Sequence, residues 1–420
     1  MRKLILVLLV LAFALNSCKN VINNDKVEVT FWHGLSGPLG DVLNEMITEF
    51  NKTHKDIEIV PNSISSYTAL SQKLMASIQA KKQPDIAQVF ESWTAKYIEA
   101  DVLVNLSDFI TADSLYAKNM ADFYPVFLAS NTYDGKIMSY PFNKSVRAYF
   151  YNKDAFFRAG LDPHYFPKTW EEFRNYSKAL TNPNHSSGRA TFGTNLNINQ
   201  WQFINLLHQA GGTIIGEDGK PLLDSREGIE ALSYLTDILL KDRSAYLVRE
   251  FEGQNDFLAG IVSMYEGSSV SITFMRQQPI NFNIGYAPLP TYKTNKSAVS
   301  GANIVIFKSG DKRKEKAAWE FIKWFTDTAQ TAKWSAKTNY MPVRKSAMQT
   351  ETVKDFLKEF PQFSGIYAQL DNAVYEPQHS AWFNARDELK GFLEKAMRNE
   401  QTPQEALKGA NDKFMELMQN

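Results

Sequence analysis

The 420-residue sequence holds a single cysteine, Cys18, so it can form neither an internal disulfide nor a cysteine-based metal cluster. It has no net charge, because 46 Lys and Arg balance 46 Asp and Glu. A global basic footprint for nucleic acid is therefore absent. The six histidines, His33, His54, His164, His185, His208 and His379, contain no close pair at metal-ligand spacing. No Gly-x-Ser-x-Gly elbow occurs, and Gly219-Lys220 lacks the glycine five positions earlier that a phosphate-binding P-loop needs. No internal repeat is visible. These absences agree in pointing away from nucleophilic, metal-dependent and nucleotide-driven chemistry. Because Asp and Glu are abundant, a glycosidase-type carboxylate pair stays open. No catalytic residue, metal or cofactor is expected.

Apolar residues at 44% and charged residues at 22% are near globular averages, and the length suggests roughly two domains. Aromatic content is 13%, which suits either a large core or rings lining a cleft. The N-terminus carries Arg2 and Lys3, then an apolar run from Leu4 to Leu15 too short to span a bilayer comfortably. Leu15-Asn16-Ser17-Cys18 looks like a lipobox. Residues 1–18 thus read as a lipoprotein signal peptide with lipid attachment at Cys18, and residues 19–26 as a polar tether. The expected location is extracytoplasmic, lipid-anchored at the cell membrane or periplasm.

Alternation of Val27, Val29 and Phe31 predicts a half-buried strand. Leu39, Val42, Leu43, Met46, Ile47 and Phe50 follow a helical stripe, and Ile57 to Val60 reads as a second strand. The pattern recurs, with a helix marked by Leu70, Leu74, Met75 and Ile78 and a buried strand over Asp85 to Phe90. Strands alternating with helices predict an α/β architecture with parallel pairing. In such sheets ligands bind beyond the carboxyl ends of the strands. The turn His33-Gly34-Leu35-Ser36-Gly37 lies at such an end, as an oxygen cradle or as a plain tight turn. A second α/β block begins near Ser139 to Asn143. Within it Thr169-Trp170-Glu171-Glu172 is a capping box that places Trp170 in a first helical turn, covering the helix start or facing a cleft. Glu266-Gly267-Ser268-Ser269 follows an apolar strand and is a second possible cradle. Lys312 to Trp334 is amphipathic and helical, with rings that read as core.

Several pieces in order carry a family resemblance: Phe31-Trp32-His33 with Gly37 and Gly40; Pro84 to Glu91; Pro141-Phe142-Asn143; Tyr151 to Phe156; Gly160 to Pro163; Pro167 to Trp170; and Lys337 to Val343. Across the mature chain the sequence resembles the extracellular solute-binding proteins of ABC importers, in the family that binds sugars and related polyols. The resemblance implies a two-lobed periplasmic-binding-protein fold, type II-like, with the ligand cleft between lobes. The first lobe would be 27–142 plus about 301–340, and the second 143–300 plus about 341–420, with crossings near Asn143, Gly301 and Tyr340. It implies a receptor, not an enzyme, whose partners are a small-molecule ligand, permease subunits in the membrane and the membrane itself through the lipid anchor. Matched to members that bind glycerol phosphates, Tyr67, Glu91, Ser145, Trp170, Ser268, Gly301, Tyr340 and Arg386 are the implied ligand residues. The implied cargo is glycerol-3-phosphate or a glycerophosphodiester. The alternatives are a neutral sugar or oligosaccharide in the same fold, or a secreted hydrolase. Three features depart from the family pattern: the run Tyr375 to Lys390 around Arg386, and Lys144 and Arg147 beside the first crossing, either of which could strengthen phosphate binding or signal a different anionic ligand.

Overall fold

The computed structural model describes residues 26–64, 66–183, 190–249 and 252–419. Residues 1–25, where the signal peptide, lipid attachment at Cys18 and most of the tether are expected, lie outside the described residues.

The first strand, β1 (Val27–His33), buries Val29, Phe31 and His33 by alternation. A helix, α1 (Gly37–Thr53), covers it with Leu39, Leu43, Met46, Ile47 and Phe50. The chain returns through β2 (Ile57–Ser63), paired parallel to β1. Helix α2 (Tyr67–Gln79) then leads to β3 (Ile86–Val89), which pairs parallel to β1 on its other side. All four residues of β3 are buried, as a strand covered on both faces requires. Helix α3 (Glu91–Glu99) follows at once. Strand β4 (Tyr140–Ser145) ends this half, and only Val146 separates it from β5 (Arg147–Asn152) of a second sheet.

That second sheet includes β6 (Phe192–Thr194), β7 (Val262–Ser268) and β8 (Ile284–Ala287) in the order β8-β5-β7-β6. Helices α4 (Trp170–Ala179) and α5 (Gln200–Gln209) belong to its surroundings. The chain then comes back: β9 (Ser300–Ile306) inserts antiparallel between β3 and β4, giving the order β2-β1-β3-β9-β4. Two α/β lobes result, joined by adjacent segments. Lys144 and Gly301 are register partners, the Met341 N–H donates to the Lys144 carbonyl at 2.7 Å, and the Ser269 N–H donates to Val146 at 2.8 Å.

The amphipathic stretch from Lys312 is two helices rather than one, α6 (Lys312–Phe325) and α7 (Thr328–Thr338). Asp327 breaks it, because its carboxylate accepts from the Ala329 N–H at 2.8 Å and starts a new helix. Trp319, Phe321 and Phe325 are buried, so these rings are core as expected. Near the C-terminus, α8 (Trp382–Met397) and α9 (Pro403–Gln419) pack with residues of the second sheet's core.

Candidate functional site

Glu91 is the first residue of α3, separated from the buried β3 only by the N-cap Phe90, so the strand carries its carboxylate to the carboxyl end of the first sheet. A carboxylate only 6% exposed needs partners. Lys144 Nζ donates to Glu91 Oε1 at 2.8 Å, and Asn303 Nδ2 donates at 3.2 Å. Lys144 is fully buried and also donates to the Gly301 carbonyl at 3.1 Å.

Tyr67 opens α2 beside it, and a hydrogen-bonded relay fixes its hydroxyl. The Gly34 N–H donates to Gln88 Oε1 at 2.7 Å, Gln88 Nε2 donates to Asn143 Oδ1 at 3.0 Å, and Asn143 Nδ2 donates to the Tyr67 hydroxyl at 3.0 Å. The Tyr340 side chain shares this group, and burial raises the pKa of both phenols, so both remain protonated donors. Gly34 is also where the ring rests: a Cβ there would lie 3.2 Å from Tyr67 Cδ1. The turn after β1 is therefore a support for Tyr67 and not an oxygen cradle. Its Gly34 N–H is taken by Gln88, and the space above Gly37 faces Phe274.

Arg386 approaches from α8. Its Nε donates to Glu376 Oε2 at 2.7 Å, and the same oxygen accepts from Trp382 Nε1 at 2.9 Å. One residue after Trp382, Phe383 meets Trp93 of α3 edge-on at 6.0 Å, with Lys96 Nζ 4.7 Å from its ring centroid. Tyr67, Glu91 and Arg386 thereby line one cavity of about 390 Å³, together with Trp93, Ser300 and Glu376.

The remaining matched residues lie elsewhere. Ser145 pairs with the cavity-lining Ser300 across β4 and β9 but is not itself part of the lining. Gly301 has φ +104°, and a Cβ on it would lie 2.0 Å from the Asn143 carbonyl oxygen, so close strand passage demands glycine there. Ser268 ends β7 opposite Arg147, and its hydroxyl accepts from the Val270 N–H at 3.4 Å. Tyr340 stacks on Trp334 at 5.5 Å and reaches the site through Tyr67 and Asn143.

Trp170 lies apart from this cavity. Its ring stacks with Tyr234 at 4.4 Å and with Tyr292 at 4.5 Å, and its Nε1 donates to Gln209 Oε1 at 2.7 Å. It borders a separate hollow with Arg174 and Glu230 and does not line the cavity of Glu91 and Arg386. The capping box explains why: Thr169 accepts from the Glu172 N–H at 3.2 Å, which fixes the helix start and turns Trp170 inward. Lys144 and Arg147 also read differently in three dimensions. Neither is an open cation, since Lys144 is held by Glu91 and Arg147 by Glu266. The Arg147 guanidinium lies 5.3 Å from the Trp201 ring centroid, and Gln202 donates to the same Glu266.

Residues 36–332 match the family described as bacterial extracellular solute-binding protein. The chain belongs to this family. Its members are substrate-binding transport proteins that act outside the cytoplasm with ABC importers. The sequence is 26% identical over 427 residues to the sn-glycerol-3-phosphate-binding periplasmic protein UgpB of Pectobacterium atrosepticum, covering 97% of this chain and 94% of that one. Identity to UgpB of Escherichia coli is 25% over 410 residues, covering 93% and 92%. Among solved structures, UgpB of Mycobacterium tuberculosis in complex with glycerophosphocholine superposes with a TM-score of 0.81 at 21% identity, covering 93% of this chain and 98% of that one. The cyclic alpha-maltosyl-1,6-maltose binding protein of Arthrobacter globiformis also gives 0.81, at 23% identity, covering 94% and 100%. The two-lobed α/β architecture is thus that of the solute-binding proteins.

Proposed function

We propose that this solute-binding protein captures a glycerol phosphate, either glycerol-3-phosphate or a glycerophosphodiester, between its lobes and delivers it to the permease of an ABC importer. The observation that carries this reading is the convergence of Arg386, Glu91 and Tyr67 on one cavity from separate elements. Arginine is the side chain suited to a phosphoryl group, and Glu91 suits the hydroxyls of the glycerol end. The UgpB relatives support the same cargo. Contacts from both lobes favour the closed state, with hinges at the crossings near Asn143, Gly301 and Tyr340. Cys18 is the lipid anchor in this reading, and residues 19–26 are the tether.

A second reading, a neutral oligosaccharide, is favoured by the pairing of Arg386 with Glu376 and by the rings of Trp93 and Phe383 on the cavity wall. Calorimetric titration with glycerol-3-phosphate, glycerophosphocholine and maltotriose separates the two. Heat with a glycerol phosphate, lost on Arg386→Ala, supports the first reading. Binding of maltotriose alone, unaffected by Arg386→Ala, defeats it.

A further inference from the structure

Within the glycerol-phosphate reading, on which this inference rests, the ionic pairing of the cavity distinguishes one cargo from the other. A phosphate monoester carries a charge of about −1.5 to −2 at neutral pH, whereas a diester carries about −1. The cavity is poorly supplied with open positive charge. Lys144 is buried against Glu91, and Arg386 has its Nε edge on Glu376. Asp387, next along α8, adds a further carboxylate to the lining. Arg386 thus shares the lining with the carboxylates of Glu91, Glu376 and Asp387, while Lys144 is taken by Glu91 and Lys96 lies over the Phe383 ring.

The Glu376–Arg386 pair is not a loose surface contact. Glu376 is 8% exposed, and its Oε2 also accepts the indole N–H of Trp382, itself 1% exposed. Swinging Glu376 away would strand that buried donor without a partner, which is unfavourable. Glu376 therefore stays on the guanidinium while a ligand binds, and it occupies one of the edges through which arginine grips a phosphoryl group with paired hydrogen bonds.

We propose that Glu376 is a specificity-determining residue: by holding the Nε of Arg386, it confines the cleft to solutes with at most one negative charge and turns away phosphate monoester dianions. Glycerophosphodiesters and uncharged polyols pass this filter, and glycerol-3-phosphate does not.

The test is calorimetry at pH 8 on the full chain, using glycerol-3-phosphate, glycerophosphocholine and maltotriose with the wild type, Glu376→Gln and Asp387→Asn. Glutamine keeps a carbonyl oxygen for Trp382 and Arg386 while removing the charge, and thermal melts check that each variant is folded. The expected result is that Glu376→Gln tightens glycerol-3-phosphate about tenfold or more while the other two ligands move little. Asp387→Asn, the same charge change off the guanidinium edge, should give a smaller gain. Equal effects of Glu376→Gln on monoester and diester would overturn the proposal, as would a wild type that already prefers the monoester. Failure of both proteins to bind any phosphate compound would also overturn it, because uncovering Arg386 must create anion binding. A wild type that binds maltotriose alone, with a variant that gains the monoester, sinks the glycerol-phosphate cargo and leaves the role of Glu376 standing.

Discussion

Lys144 Nζ and Glu91 Oε1 lie 2.8 Å apart, joining the strand that leaves the first sheet to the helix that starts beyond its central strand. Both are almost wholly inside the protein. A buried pair of this kind contributes little net stability against an apolar replacement, but breaking it is costly. Lys144→Met should destabilise the fold by about 3–5 kcal/mol, because Glu91 is left charged and without its cation. The double change Glu91→Gln with Lys144→Met should recover a large part of that loss. Urea unfolding of the two variants checks this, and equal losses in both would contradict it.

Gly301 gives a prediction that does not depend on any ligand. Alanine there meets the Asn143 carbonyl at 2.0 Å with φ fixed at +104°, so strand β4 or β9 must shift. At Gly135, with φ +74° and no atom within 4 Å of the added Cβ, only the backbone strain remains. Gly301→Ala should therefore lower stability by well over the about 1 kcal/mol expected at Gly135. Melting temperatures of the two variants, taken without ligand, measure the difference.

Much of the first sheet was legible because its signals are local. Alternation in Val27 to Phe31 and the stripe from Leu39 to Phe50 each encode a face, and β1 and α1 bury those residues. Glu91 was legible for the same reason, as a carboxylate ending an apolar run. Glu376 was not. It lies ten positions before Arg386, outside the helix that bears Arg386, so no periodicity links them. Its only signal was that the run around Arg386 departs from the family pattern. Trp170 was not legible in the same way, because a ring in a first helical turn can face either way and only the fold supplies Tyr234 and Tyr292 beside it.

Two buried histidines predict an acid-sensitive fold. Burial lowers the pKa of both His33 and His208 from 6.5 to about 4. Both are neutral in either state above pH 6.5 and then contribute no pH dependence. As the pH falls below that value the unfolded chain takes up protons that the native state refuses, so stability declines until about pH 4. His208→Gln should remove one share of this decline, about 2–3 kcal/mol between pH 7 and pH 4.5. The Nδ1 bond of His208 to the Gly212 carbonyl, at 3.1 Å, is one an amide can imitate. Chemical denaturation of wild type and variant at the two pH values tests this, and an unchanged pH dependence would refute it.

The two tryptophans of the matched and unmatched sites should separate folding from binding. Trp170 donates to Gln209 while stacked with Tyr234 and Tyr292, whereas Trp93 forms part of the cavity wall and touches Phe383. Trp170→Phe keeps the stack and removes the hydrogen bond, leaving Gln209 Oε1 unpaired, so it should cost about 1–3 kcal/mol of stability with little change in ligand affinity. Trp93→Leu removes a flat face from the cavity and the edge contact to α8, so it should weaken binding of glycerophosphocholine about tenfold. Thermal melts and calorimetry on both variants give the two readouts. If Trp170→Phe instead weakens binding while stability holds, the ring acts on the ligand and its stacking with Tyr234 and Tyr292 must open on binding. That outcome would restore Trp170 to the site and would require the second lobe to rearrange around α4.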